Sequence, residues 1–203
     1  MSNEPIFQDK EYTIEEYLAL DEASEKKYEY HAGRLVAMTG GTFNHSLLGA
    51  NIIIAIDKAI RDSERDCLIT NSEARIYIEK INNFIYPDAS VVCGTPEFFD
   101  ENQYSLVNPL IIIEVLSKST AHYDRGAKFR KYRAIPSFKE YIVIDQDQPI
   151  IDSFFRDDPT YWRMMTTIGL DQSLHLQSID CYIPMREIYR NVQGLEEPEI
   201  IPE

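Results

Sequence analysis

A chain of 203 residues with 44% apolar and 11% aromatic side chains has enough material for one buried core and lies far from the composition of a disordered segment. Its formal net charge of −14 excludes a protein that holds phosphate backbones over its whole surface, because such proteins are basic at least locally. The longest apolar run, "LIIIEVL", is too short to cross a bilayer and the N-terminus carries no basic-then-apolar leader, so the expected partner is not a membrane and the expected location is cytoplasmic.

The ends, "MSNEPIFQDK" and "GLEEPEIIPE", read as loose arms of a single domain whose core runs over about residues 12–190. Thr13 with Glu16 has the spacing of a capping box and predicts a short helix carrying Tyr17, Leu18 and Leu20. His31-Ala32-Gly33-Arg34 reads as the turn of a hairpin between "KYEYH" and "RLVAM". A longer helix follows the loop "TGGT", with Leu48, Ile52, Ile56 and Ile60 on one face. "EARIYIE" alternates as a half-buried strand does, whereas "NFIYPDASVVCG" and "NPLIIIEVLS" are continuous apolar runs, as in central strands covered on both faces. "GAKFRKYRAI" predicts a helix ended by Pro136, and "KEYIVID" a buried strand that completes a strand–helix–strand crossover. "IIDSFFRD", "YWRMMTTI" and "SLHLQSI" predict a meander, and "MREIYRN" a closing helix. Cys67, Cys93 and Cys181 are odd in number, without a CxxC spacing, and read as reduced thiols of the core.

Two acids stand out in this pattern. Asp88 opens one apolar strand and Glu114 lies late in the next, and a carboxylate in an apolar setting is costly unless paired, hydrogen-bonded or bound to a cation. On neighbouring strands the two converge at a sheet edge, where they repel unless a divalent cation joins them. Oxygen ligation of that kind suits Mg2+ or Mn2+, and a nearby lysine then makes a site for phosphodiester hydrolysis. The run "DRGAKFRKYRA" supplies one basic patch on an acidic body, through Arg125, Lys128, Arg130, Lys131 and Arg133, although a helix face with these charges is as readily only solvated.

The ordered set "YPDASVV", "IIIEVLSKST", "DRGAKFRKYRAIPSF" and "KEYIVID", preceded by "YEYHAGRLVAMTGGTFNHSLLGANI", resembles the Uma-type restriction endonuclease family of the PD-(D/E)XK nuclease superfamily, from about Tyr12 to about Tyr189. The resemblance implies an α/β fold with a mixed central β-sheet flanked by α-helices, as in restriction endonucleases. It implies Mg2+- or Mn2+-dependent cleavage of DNA, with Asp88, Glu114 and the main-chain carbonyl of Val115 as metal ligands. The superfamily lysine two residues after the second acid is replaced by Leu116, which leaves Lys128 on the following helix, with Tyr132 on its face, or Lys118 in the loop. Glu29, four residues before Gly33, matches an acid that supplements the metal site, and His45 matches a histidine at the start of the long helix. Lys118, Arg125, Arg130 and Lys131 are the expected contacts to DNA, and a homodimer is the expected assembly. Two other readings stay open: a retired nuclease fold kept as a scaffold for a protein partner, and a metal-dependent hydrolase of a small phosphate ester.

Overall fold

The computed structural model describes residues 10–38, 40–99, 101, 103–117 and 120–198. The expected loose arms fall largely outside these residues, and Lys118 falls outside them altogether.

Helix α1 (Ile14–Ala23) starts where Thr13 accepts from the Glu16 N–H while the Glu16 carboxylate accepts from the Thr13 N–H, so both halves of the capping box are formed. Strands β1 (Tyr28–His31) and β2 (Arg34–Ala37) pair around Ala32 and Gly33, both at positive φ, as a two-residue hairpin turn requires. Helix α2 (Phe43–Asp62) is capped by Thr42 and turns Leu48, Ile52, Ile56 and Ile60 inward. The strands that follow are β3 (Cys67–Asn71), β4 (Arg75–Ile78), β5 (Asn83–Ile85), β6 (Ala89–Cys93), β7 (Ser105–Leu106) and β8 (Ile111–Leu116). A helical stretch of α3 (Ala121–Tyr123), one π-helical segment (Asp124–Lys128) and α4 (Phe129–Tyr132) leads to β9 (Glu140–Asp145). Strands β10 (Ile150–Arg156), β11 (Trp162–Ile168), β12 (Ser173–Leu176) and β13 (Cys181–Pro184), with helix α5 (Met185–Ile188), complete the chain.

Among the described residues the strands form a six-stranded sheet in the order β11-β10-β9-β8-β6-β3, a five-stranded sheet in the order β2-β1-β5-β4-β7, and a β12–β13 pair. In the first sheet β8 and β9 run parallel across the α3–α4 crossover and every other pair is antiparallel, so the sheet is mixed. One face packs Ala89, Val91, Ile111, Ile113, Val115, Ile142 and Ile144 against α2. The other packs Val92, Ile112, Leu116, Tyr141 and Val143 with Tyr132, Phe138 and residues of the second sheet. Both faces are covered, which is why β8 and β9 read as unbroken apolar runs.

The structure corrects the sequence reading in five places. "NFIYPDASVVCG" is two strands in two sheets: Pro87 has no N–H for a ladder, and Tyr86-Pro87-Asp88 carries the chain from β5 to β6. Strand β4 is buried on both faces because Arg75 and Tyr77 are covered as well as Ile76 and Ile78. The crossover helix begins at Ala121 rather than Gly126 and contains the π segment. Strand β12 leaves the meander to pair with β13, a strand the pattern missed. Cys67 faces Cys93 directly in the antiparallel β3–β6 register, and the two form a disulfide where free thiols were expected; Cys181 is free and buried. No helix among the described residues is long and apolar enough to cross a membrane.

Candidate active site

The site begins at the break between the two sheets. Ala89 pairs with Ile113, so the antiparallel register carried one residue further sets Asp88 opposite Glu114. Side chains alternate along a strand, and Val92 of β6 and Ile112 and Leu116 of β8 all face the crossover helix. Asp88 and Glu114 share the parity of that face. Asp88 Oδ2 accepts from the Val115 N–H at 2.7 Å, which ties the loop carboxylate to the strand that carries the second acid.

Lys128 comes to the two acids from above. The wide π turn places Asp124 and Lys128 on the buried side of an otherwise basic helix, an arrangement often found at functional sites. Lys128 Nζ lies 2.8 Å from Glu114 Oε1, 3.7 Å from Glu29 Oε1 and 3.8 Å from Asp124 Oδ1, and donates to the Tyr86 carbonyl at 3.1 Å. One turn on, the Tyr132 hydroxyl donates to the same Glu114 oxygen at 3.0 Å.

His45 approaches from the N-terminus of α2, its backbone N–H held by the Thr42 hydroxyl at 3.1 Å. Its Nε2 stands 3.3 Å from Asp88 Oδ2. Gly41 makes room for the ring: a Cβ there would meet His45 Nδ1 at 2.7 Å. Glu29, on β1, accepts at Oε1 from the Tyr86 N–H at 3.4 Å and at Oε2 from His31 Nε2 at 3.1 Å and the Tyr123 hydroxyl at 3.4 Å. The side chains of Asp88, His45 and His31 keep 21%, 20% and 15% of their surface exposed, against 4% for Glu114 and 7% for Lys128, so the first three line the mouth and the last two the floor.

The electrostatics follow from four carboxyls gathered round one buried lysine. Burial acts against the Lys128 ammonium, but Glu114, Glu29, Asp124 and Asp88 outweigh it and hold the group firmly charged. Burial, with Asp124 and Asp88 adding, pushes the Glu114 carboxyl well above the ordinary range despite Lys128. Burial also raises Asp124. Asp88 and Glu29 resist burial: His45 and Lys128 hold the first below its usual value, and Lys128 and His31 the second. The hydrogen bond to Asp88 raises His45, and a main-chain contact to Val115 adds to it.

Such a site is short of positive charge, and its donors fit a hard divalent cation. Asp88, Glu114 and the Val115 carbonyl are oxygen donors, and Mg2+ takes one or two carboxylates and fills its shell with water and phosphate. No group of three or more His, Cys, Asp or Glu side chains is arranged to hold a metal among the described residues. Glu29, expected as a further ligand, has both oxygens engaged and is bridged to Glu114 by Lys128.

The basic run divides on folding. Lys128 is buried in the site, Arg125 lies 3.4 Å from Asp152 and 3.9 Å from Asp145, Lys131 turns toward His31 and Tyr123, and Arg130 is exposed. Lys118, the other candidate lysine, lies outside the described residues. Sequence reasoning missed Asp124, His31 and Gly41. The one acid inside "DRGAKFRKYRA", four residues before Lys128, was the available sign of Asp124; nothing local marked His31, which read as a turn residue.

The chain is similar to known proteins in family, sequence and fold. Residues 14–186 match the Uma2 family model, described as "Putative restriction endonuclease". The uncharacterized protein slr1290 of Synechocystis sp. is 34% identical over 178 residues, spanning 88% of this chain and 91% of the relative. A second uncharacterized Synechocystis protein, sll1609, is 31% identical over 157 residues, spanning 77% and 88%. A crystal structure described as "a putative nuclease belonging to DUF820 from Anabaena variabilis" superposes with a TM-score of 0.70 at 17% identity, covering 88% of this chain and 97% of that one. The mixed sheet flanked by helices is common to both folds.

Proposed function

The chain belongs to the Uma2 family, and from that premise we propose that it cleaves phosphodiester bonds of DNA with the help of a bound divalent cation, Mg2+ or Mn2+. The observation that carries this reading is the convergence of Asp88, Glu114 and the Lys128 ammonium at a break between two sheets. In the proposed site Asp88, Glu114 and the Val115 carbonyl hold the cation. When bound, such an ion polarises the phosphate and activates a water molecule.

The residues supply the rest. The carboxyls around Lys128 favour its ammonium, which suits it to donate a hydrogen bond and offset charge that builds up on the phosphate. Glu29, Asp124 and the Tyr86 carbonyl hold that ammonium in place, and Tyr132 fixes the Glu114 carboxyl from the other side. His45 orients the Asp88 carboxylate through its 3.3 Å contact and stands at the N-terminus of a 20-residue helix, where an anion is favoured. Arg130 and Lys131 are the members of the basic run that would contact a duplex in this reading, and two copies acting as a homodimer would extend that reach.

The test is nicking of supercoiled plasmid in Mg2+ or Mn2+ by the wild type and the Asp88→Ala and Glu114→Ala variants, with calorimetric titration of the same ions. Cation binding and nicking present in the wild type, abolished by EDTA and by either substitution, support the reading. A wild type that binds neither ion at millimolar concentration sinks it. The engagement of Lys128 by three carboxyls favours one competing reading, a nuclease fold retained as a scaffold, and that outcome would select it.

A further inference from the structure

Lys131 is anchored by a directed set of hydrogen bonds that none of the roles above uses. Its ammonium lies 3.1 Å from His31 Nδ1 and 3.0 Å from the Tyr123 hydroxyl oxygen. An ammonium can only donate, so His31 Nδ1 must accept and the ring proton sits on Nε2. That N–H then donates to Glu29 Oε2 at 3.1 Å. The Tyr123 hydroxyl, already accepting from Lys131, turns its own hydrogen to the same Glu29 oxygen at 3.4 Å. Two parallel relays thus run from Lys131 to Glu29, one through an imidazole and one through a phenol.

The geometry has two consequences. Lys131 is fixed at both acceptors, with the ring of Tyr123 5.0 Å beneath it. An ammonium has three donors, and the third has no partner among the described residues. The group is half-buried beside the mouth lined by His31, Asp88 and His45, and burial lowers its pKa, so the charge is incompletely met by the protein. A free donor on a fixed, partly desolvated cation next to a hydrolytic centre suits an anionic oxygen.

We propose that Lys131 binds a backbone phosphate of the nucleic acid neighbouring the one that enters the Asp88–Glu114 site, and that His31 and Tyr123 are its positioning residues. The substrate class in this statement rests on the DNA reading above. His31 acts through its two ring nitrogens as a splint between Lys131 and Glu29, and a phosphate held there sets the register of the strand over Lys128. One side chain retains the same pair of functions: glutamine presents an amide oxygen to accept from Lys131 and an amide nitrogen to donate to Glu29.

The experiment compares the wild type with Lys131→Ala, His31→Phe, His31→Gln and Tyr123→Phe. Each is assayed for plasmid nicking in Mg2+ and for binding of a fluorescent duplex in EDTA from low to moderate salt, after a thermal melt confirms folding. Lys131→Ala should weaken duplex binding about five- to tenfold and reduce the slope of log K against log salt by about one, the signature of one lost phosphate contact. It should raise KM for nicking with kcat within about twofold. His31→Phe should reproduce that pattern, add nothing in the double variant with Lys131→Ala, and be reversed by His31→Gln; Tyr123→Phe should fall between. Unchanged binding and salt slope in Lys131→Ala overturn the proposal while nicking leaves the nuclease reading intact. His31→Gln as defective as His31→Phe overturns the splint role. Binding that responds as expected in a protein that never nicks upholds the phosphate site and discards the nuclease reading, and a wild type that binds no duplex discards both.

Discussion

Lys128 Nζ sits 2.8 Å from Glu114 Oε1, deep in a strand whose six residues are all buried. Neither partner has an alternative in water, so each depends on the other and on the carboxyls around them. Removing the cation leaves the Glu29 and Asp124 carboxylates without a counter-charge and takes a donor from Glu114, and breaking a buried pair from one side costs about 3–5 kcal/mol. Lys128→Met should lose stability on that scale in urea unfolding. Glu114→Gln should stay within about 1 kcal/mol of the wild type, because burial already favours the neutral acid and the amide oxygen still accepts from Lys128 and Tyr132. Both variants should fail to nick DNA. The reverse order of stabilities would show that Glu114 is held as a structural anion.

Gly41→Ala probes the mouth without touching a charged group. Its Cβ would press on the His45 ring at 2.7 Å and displace it from Asp88. Stability should change by about 1 kcal/mol or less in a thermal melt, while nicking should fall about tenfold or more, as misplacement near a reacting centre does. Equal nicking in the variant and the wild type would remove His45 from the site.

Glu140 offers a pH signature away from the site. It is fully buried at the start of β9 and accepts from the Gln177 and Ser178 N–H groups, both at 2.9 Å, and from the Ser178 hydroxyl at 2.6 Å. Burial raises its pKa above the usual 4.5, against the pull of those donors. A carboxyl with a raised folded value binds its proton more tightly folded than unfolded, so its contribution is present below 4.5 and is lost as pH rises through the folded value. Glu140→Gln should flatten the fall in stability over that window. It should also cost about 1–3 kcal/mol at neutral pH, where its amide N–H faces other donors. Denaturant unfolding at a series of pH values measures both effects; an unaltered pH profile would mean that Glu140 is not the group responsible.

The Cys67–Cys93 disulfide ties the edge strand β3 to β6, the strand that Asp88 precedes. Peptide mapping under non-reducing conditions should recover the linked pair and a free Cys181. Reduction, or Cys67→Ser with Cys93→Ser, should destabilise the fold by roughly 2–4 kcal/mol, the usual scale for a link closing a loop of this order. Free thiols at all three positions in the oxidised protein would rule the link out.

Much of this was legible in the sequence because it is local. The capping box at Thr13 and Glu16, the hairpin turn at Ala32 and Gly33, the α2 stripe and the apolar runs of β8 and β9 are set by neighbours a few residues away, whose spacing records which face is buried. Glu114 was conspicuous for the same reason, an acid among isoleucines with no local partner. What the sequence could not decide is which distant segments meet. Pro87 marks a break, but only the paired sheets show that β5 and β6 part there and that register sets Asp88 opposite Glu114. The basic run looked like one solvated face until the π turn drew Asp124 and Lys128 inward and His31 took Lys131. Cys67 and Cys93 joined because two antiparallel strands aligned them. Periodicity is a property of one element, whereas a site made of long-range pairs is a property of register, and register is fixed only when the whole core is packed.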